Sequence, residues 1–393
     1  LSQRITNYDL NKSINQFLTQ SKINELDLQR DRVLNVIEKF LSGSTELSRF
    51  SFNEYKKNVL KKAYDCMKSG ASPDGANFDI DAYSLDELKL LQENELPEYI
   101  FHRYRYIVYP IKHLLDNYPP CVQVELTSLC NFRCTFCYQS DPTFTARKNG
   151  QMGSMDIDLF KEVIDQLEGN VQFLTFASRG EPLLAKDFTR MLDYSKGKFL
   201  SLKLNTNASL LNEEKIHAIL NSGISTLVFS ADAANEKDYA RFRVNGSFEK
   251  TIKNIEKFQE IRNKEYSHIK LNTRVSGVWV DPASQDIDEM NKVWGQYVDQ
   301  VSFVNYSPWE KIYSAPENDI TTPCSDLWRR MFIWFDGGVA PCDNDYKSLL
   351  KVGSIQDNSL SKFWGDGKYT QLRLDHKNQN RKLHEPCKRC IVY

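Results

Sequence analysis

Seven of the nine cysteines fall into two groups whose spacing could hold metal. Cys130, Cys134 and Cys137 lie on one short run, Cys-Asn-Phe-Arg-Cys-Thr-Phe-Cys. Three thiolates on so tight a loop can ligate three irons of a [4Fe–4S] cluster, whereas a cluster held wholly by protein takes four cysteines. The fourth iron is then open to a substrate or cofactor. Structural zinc takes four ligands, and this loop offers no fourth Cys or His; chance clustering of core cysteines is the other bland reading. The second group, Cys324, Cys342, Cys387 and Cys390, has four thiols. Four saturate either a [4Fe–4S] cluster or a zinc, and spacing alone does not separate the two. Cys66 and Cys121 read as small buried hydrophobes. The six histidines form no HxxH or HExxH pattern, so no metal role is assigned to them.

The elements that must position these thiols follow from periodicity. Residues 1–118 read as mostly helical. Apolar residues recur at helical spacing over Asn24–Leu41, and further helices are expected over Phe52–Met67, Leu85–Leu96 and Glu98–Leu115, the last interrupted by Pro110. Ser69–Asp79 reads as a loop, and Pro119-Pro120 mark a boundary. Short β-rich runs then recur at Val122–Leu126, Val171–Phe176, Leu200–Asn205, Thr226–Ser230, Ile269–Val275 and Gln300–Val304. Amphipathic stretches such as Ile157–Leu167, Glu213–Ser222 and Phe248–Arg262 lie between them. Strand–helix alternation implies a parallel β/α architecture. Six units fall short of a closed eight-unit barrel, so the expectation is a partial (β/α)6 TIM-like barrel with its chemistry at the carboxyl ends of the strands. The three-cysteine loop follows the first strand and would stand at that end.

The tail from about Pro308 is short, cysteine-bearing and loop-rich. Asp336-Gly337-Gly338 between two apolar runs reads as a hairpin turn. Leu360–Trp364 and Tyr369–Leu374 read as short helical pieces. The expected organisation is therefore 1–118 helical, 119–307 partial barrel, and 308–393 a small cysteine-rich domain.

Composition narrows the class. The 393 residues are 41% hydrophobic and 26% charged, enough to build a core and too apolar for a mainly disordered chain. Lys+Arg number 51 and Asp+Glu 52, a balance that argues against a dedicated nucleic-acid binder. The basic tail His376–Cys390 reads as a solvated rim around an iron or zinc site rather than a nucleic-acid patch. No apolar run suggests a membrane span, and the first residues lack the apolar core of a signal peptide. A cytoplasmic setting is expected, where grouped cysteines point to metal rather than disulfides.

With these residues in view, the run Cys130–Cys137, including Phe136 before its third Cys, resembles the signature of radical S-adenosylmethionine (SAM) enzymes. The resemblance covers about residues 119–306. It implies a cluster whose open iron is chelated by SAM, and reductive cleavage of SAM to a 5′-deoxyadenosyl radical that abstracts hydrogen from substrate. Further residues match in order. Ser178-Arg179-Gly180-Glu181-Pro182 is similar to the Gly-Gly-Glu element that grips the methionine amino group, with Arg179 in place of a glycine. Asn205-Thr206-Asn207-Ala208 ends the third strand, where relatives often read Thr-Asn-Gly. Phe229-Ser230-Ala231-Asp232 is similar to a Ser-x-Asp segment near the SAM ribose and carboxylate. Arg243-Val-Asn-Gly246 resembles a later Arg-x-x-Gly element, and Arg243 suits a carboxylate. The implied cofactor contacts are Phe136, Gly180, Glu181, Asn207, Ser230 and Arg243. Singly, each has an ordinary reading as a turn former, cap or surface ion pair.

The second group of cysteines, with Asp336-Gly337-Gly338-Val339-Ala340-Pro341-Cys342 and Pro386-Cys387-Lys-Arg-Cys390, looks like the auxiliary-cluster domain of SPASM/twitch enzymes. The count allows one auxiliary [4Fe–4S] cluster, suited to accepting an electron. The expected function is an oxidoreductase acting on a small polar, sugar- or cyclitol-like substrate and served by a low-potential donor such as flavodoxin or ferredoxin. The alternatives are maturation of a ribosomally made peptide and, outside enzymes, a zinc-stabilised binding module. Glu310, just past the sixth strand, is the candidate general base, with an ordinary surface carboxylate as its alternative. Asp343 and Asp345 follow Cys342, where a place near the auxiliary cluster is one reading and a turn-forming role the preferred one.

Overall fold

The computed structural model describes residues 20–44, 51–70, 75–81 and 84–392. The first residues, read above as lacking a signal core, and part of the Ser69–Asp79 loop lie outside them. The described N-terminal region is helical: α1 (Gln20–Leu41), α2 (Glu54–Ser69), α3 (Ser84–Leu90) and α4 (Leu96–Lys112). Six parallel strands follow, β1 (Cys121–Val124), β2 (Phe173–Phe176), β3 (Ser201–Thr206), β4 (Ile224–Ser230), β5 (Asn272–Trp279) and β6 (Gln300–Asn305). Helices α5 (Ile157–Leu167), α6 (Phe188–Ser195), α7 (Glu213–Asn221), α8 (Glu236–Phe242), α9 (Phe248–Glu265) and α10 (Ile287–Trp294) alternate with them. This is the expected partial barrel.

The C-terminal region continues the same sheet rather than standing beside it. Strand β7 (Arg330–Ile333) pairs parallel with β1, and β8 (Gly338–Ala340) and β9 (Gly353–Ser354) follow antiparallel. The strand order is β6-β5-β4-β3-β2-β1-β7-β8-β9. The Asp336–Gly338 turn joins β7 to β8 as expected; Gly337 has φ +78° there, a conformation glycine adopts without strain. Two helices, α11 (Leu360–Gly365) and α12 (Gly367–Lys377), close the region.

The N-terminal helices cap the amino end of the barrel. Tyr99 and His102 of α4 pack on Phe173 at the start of β2, His102 stacked at 3.7 Å between centroids. Pro110 does not interrupt α4, which runs on to Lys112. Proline deprives the carbonyl four residues back of its helical donor. Here that carbonyl, Tyr106 O, accepts from Arg329 Nε at 3.1 Å, so the cap is tied to the barrel by the group the proline frees. The helix expected over Leu85–Leu96 instead stops at Leu90 and restarts at Leu96. Glu95 Oε2 accepts from Gln92 N at 2.8 Å in the break, and Pro97 sits in the first turn of α4.

Candidate active site

Along β1, β3 and β5 alternate side chains point opposite ways. Val122, Val124, Leu202, Leu204 and Val275 go to the hydrophobic core. Gln123, Lys203, Asn205, Arg274 and Ser276 face a cavity of about 530 Å³ inside the barrel. Closed barrels usually fill this space with branched apolar side chains. A polar lumen is built to hold a polar ligand.

The three cysteines line the carboxyl end of this lumen together with Phe136, Gly180, Glu181, Asn207, Ser230 and Arg243. Sequence reasoning had placed these on separate segments, and the fold brings all of them together. The cysteine loop is held by backbone bonds: Arg133 N donates to Val244 O at 2.9 Å and Thr135 N to Phe242 O at 3.0 Å. Burial pushes the Cys130 thiol up to about 12 and Cys134 to about 11, with Cys137 higher still. Thiolates in such surroundings need a cation to neutralise them.

Gly180 is dictated by space. A Cβ there would lie 2.2 Å from Thr127 O and 2.6 Å from Leu129 O, so the β2 loop presses directly on the backbone leading to Cys130. Glu181 N donates to Leu129 O at 2.8 Å in the same contact. The Glu181 carboxylate is buried and already bonded, accepting from Thr206 Oγ1 at 2.6 Å and Asn207 N at 2.7 Å. Asn207 Nδ2 in turn donates to Asn131 Oδ1 at 3.0 Å. Glu181 and Asn207 thus lock the end of β3 to the cysteine loop.

Arg243, read from sequence as a partner for a ligand carboxylate, has one from the chain: its Nε lies 2.5 Å from Asp232 Oδ2, both buried. Arg179 lines the cavity, but its guanidinium is engaged at the joint between barrel and C-terminal region. Its guanidinium bonds both oxygens of Glu125, at 2.7 and 2.6 Å, and lies 4.0 Å over Trp334. Its side chain therefore serves as a structural tie, with no glycine-like role.

Glu310 is not among the cavity-lining residues; Trp309 is. The Glu310 carboxylate instead accepts from Tyr306 O–H at 2.6 Å. Asp345 forms a turn as expected, accepting from Leu349 N at 3.0 Å and Leu350 N at 2.6 Å. Asp343 lines the cavity, and burial raises it to about 6 despite Arg330.

The second group of thiols converges as well. Cys342 feels Cys390, Cys324 and Cys387 electrostatically, and burial holds Cys342 and Cys387 well above the ordinary thiol range. The buried Arg381 pins the segment that carries two of them, donating to Cys387 O at 3.0 Å and to Cys390 O and Val392 O at 2.7 Å. Among the described residues no three His, Cys, Asp or Glu side chains are gathered closely enough for a single metal ion.

Comparison with known proteins agrees with this geometry. Residues 124–272 match the model of the Radical SAM superfamily, and residues 324–391 match SPASM, an iron–sulfur cluster-binding domain. The chain thus carries a radical SAM domain followed by a SPASM domain. Mycofactocin maturase MftC of Mycolicibacterium smegmatis is 24% identical over 58% of this chain, but the match spans only 56% of the maturase. The S-adenosyl-L-methionine-dependent 2-deoxy-scyllo-inosamine dehydrogenase of Niallia circulans is 23% identical over 70% of this chain and 94% of its own length. The solved structure of Streptococcus suis SuiB bound to the precursor peptide SuiA covers 81% of this chain and 79% of its own, at 14% identity and a TM-score of 0.53.

The radical SAM core has the donors its cofactors require. Three desolvated thiols suit three irons. Asn205 Oδ1, Ser178 Oγ and Trp309 Nε1 belong to cavity-lining residues and lack hydrogen-bond partners, so a bound polar molecule could satisfy them. The SPASM region supplies four buried or half-buried thiols, enough to fill every protein position of one cluster. The signal for the lumen was present in the sequence as polar residues alternating with Leu202, Leu204 and Val275. Alone, such alternation reads equally as a solvent-facing strand.

Proposed function

We propose that this chain is a radical SAM oxidoreductase acting on a small polar substrate held inside the barrel. The observation that carries the reading is the continuity of a polar lumen with the three-cysteine loop, closed at its other end by α3 and α4. Cys130, Cys134 and Cys137 would hold the SAM-binding [4Fe–4S] cluster, and Cys324, Cys342, Cys387 and Cys390 the auxiliary one. Phe136, Gly180, Glu181, Asn207, Ser230 and Arg243 would form the SAM side of the cavity. When bound and reduced, the cluster and SAM supply hydrogen-atom abstraction from an unreactive C–H bond.

The chain's own groups have distinct tasks. Gly180 and Glu181 fix the loop that carries the thiols. Arg243 and Asp232, as a neutral pair, border the site without adding charge. The cap covers the amino end with Glu87 of α3 and Arg103 and Tyr106 of α4. A low-potential one-electron donor such as flavodoxin or ferredoxin would serve it. Among the described residues no helix is long and apolar enough to cross a membrane. The proposed division is 1–118 as an N-terminal region whose described helices form the cap, 119–307 as the radical core and 308–393 as the auxiliary region. The match to a cyclitol dehydrogenase over 94% of its length supports oxidation of a compact polyol.

Anaerobically reconstituted protein should hold about eight iron and eight sulfide, as two four-iron clusters require. Under dithionite it should release 5′-deoxyadenosine from SAM, faster with cyclitol or sugar substrates than with peptides. Protein that stays iron-free or leaves SAM intact would overturn the reading. Peptide-stimulated turnover would replace the substrate class with that of a maturase.

A further inference from the structure

The mechanism above uses the carboxyl end of the lumen. Its amino end carries a separate set of groups. Lys203 of β3, Arg274 of β5 and Arg330 of β7 line it from the barrel, and Asp81, Glu87, Arg103 and Tyr106 line it from the cap. Most of these charges are matched. Arg103 lies 3.1 Å from Asp81, and Arg330 lies 3.3 Å from Asp326 and bonds Tyr106 O–H at 3.0 Å. Arg274 Nε donates to Gln300 Oε1 at 2.8 Å, a neutral partner. Gln300 in turn bonds Asp86 of α3, so the cap helps to orient Arg274.

Lys203 is the exception. No hydrogen bond or ion pair reaches its ammonium among the described residues. Its electrostatic neighbours are two repelling guanidiniums, Arg274 and Arg330, and two attracting groups, the Cys121 thiol and the Glu87 carboxylate. Glu87 is itself engaged, accepting from Tyr99 O–H at 2.7 Å. Burial, then the two arginines, lowers Lys203 to about 8. Lys203 is only half-buried by accessible surface because it faces the lumen, and it lies deep in the fold by its surroundings. A cation in this position is costly for the chain alone and favourable once an anion arrives. Neutral donors accompany it, since Gln123 and Thr175 pair with each other in register, and Thr175 pairs with Lys203.

We propose that the amino-end half of the lumen binds the anionic oxygen group, a carboxylate or a phosphate, of a small substrate, with Lys203 as its principal cation and Arg274 and Arg330 beside it. The proposal rests on the reading of the barrel as the substrate site and adds the substrate's charge. From Lys203 to Asn207 the chain rises about 13 Å along β3 and its end. A compact molecule anchored below by its anion would therefore reach the thiol end with its other half. Binding energy from the non-reacting end then orients the reacting carbon, as remote contacts do in enzymes generally. The α3–α4 cap supplies Asp86 and Tyr106 to this arrangement, which gives the N-terminal helices a function in recognition.

The test is isothermal titration of the anaerobic, cluster-loaded protein with inorganic phosphate and, separately, with succinate, in a buffer free of oxyanions. Wild type should bind one equivalent of at least one probe, and the stronger probe tells phosphate from carboxylate. Lys203→Met should weaken that binding at least about tenfold, while Lys203→Arg, which keeps the charge, should stay within about threefold. Should the Met variant fail to fold, Arg274→Gln takes its place and should weaken binding at least about threefold. Absence of binding by wild type, or equal binding by wild type and the charge-removing variant, overturns the proposal. Calorimetry requires no turnover. A protein that binds the anion yet never cleaves SAM would refute the proposed function and leave this site standing.

Discussion

The ring of Tyr138, one residue past Cys137, stacks on Tyr346, four residues past Cys342, with centroids 5.0 Å apart and planes 24° from parallel. The two cysteine sets are thus joined through an aromatic contact. Tyr313 and Phe144 meet Tyr346 edge-on at 5.0 and 5.4 Å, and Cys137 and Cys390 belong to the same apolar cluster. Core and auxiliary region are therefore packed as one interior at this point, in addition to sharing a sheet.

This contact should contribute strongly to the stability of the joint. Tyr346→Ala is expected to cost about 3–5 kcal/mol, as large aromatic deletions do. Tyr346→Phe keeps the stack and removes the O–H that donates to Asp141 Oδ2 at 2.8 Å, so it should cost only about 1 kcal/mol. Anaerobic urea denaturation followed by tyrosine and tryptophan fluorescence measures both. Equal losses for the two variants would show that the hydroxyl, rather than the ring, carries the joint.

Gly180→Ala tests the contact between the β2 loop and the cysteine loop. The added carbon would meet the Thr127 carbonyl at 2.2 Å, and rigid backbone cannot yield as a side-chain tip can. The loop bearing Cys130 must then move. The expected result is loss of about four of about eight irons, those of the three-cysteine site, with the auxiliary four retained. Iron and sulfide analysis alongside SAM cleavage reads this directly. Full iron content with normal cleavage would mean that the loop tolerates the shift.

What was legible in the sequence was what short-range patterns encode. The cysteine spacing, the six strand runs and the Asp336–Gly338 turn each depend on residues close in the chain. The pairing of β7 with β1 joins positions about two hundred residues apart, as Cys121 faces Arg330, and no local period announces it. The extent of β5 was also missed. It runs from Asn272 to Trp279, later than the apolar run suggested, because α9 continues to Glu265 and Arg262 caps the connection by donating to Leu271 O at 2.6 Å. Helices α6, α8 and α10 were too short for their periodicity to stand out. Arg179 was compared with a glycine of a ligand-binding element, but its side chain is used where only tertiary structure can show it, against Glu125 and Trp334.

That buried pair gives a further prediction. Arg179 and Glu125 are almost fully excluded from solvent, and Glu125 Oε1 also accepts from Phe335 N at 3.2 Å. Arg179→Met should cost about 3–5 kcal/mol, because it leaves a buried carboxylate without its cation. Adding Glu125→Gln should recover part of that loss, giving a coupling of more than about 1 kcal/mol in a double-mutant cycle. Additive losses would show that the two side chains act independently. The measurement is chemical denaturation of the three variants against wild type.

The lumen lysine makes a prediction about pH that needs no ligand. Lys203 is lowered to about 8 by burial and by Arg274 and Arg330, whereas an unfolded lysine titrates near 10.4. Between about pH 8 and 10.4 the unfolded chain therefore binds more protons at this position than the folded one, so stability from this group rises with pH. Below about pH 8 both states are protonated and the full penalty of the buried charge is present. Above about pH 10.4 both are neutral and the penalty is gone. Lys203→Met should accordingly be more stable than wild type at pH 7, and the difference should shrink between about pH 8 and 10. Scanning calorimetry of both proteins across that range, in oxyanion-free buffer, decides it. A difference that stays constant with pH would show that Lys203 keeps its ordinary proton affinity, because its charge is then already compensated within the empty barrel.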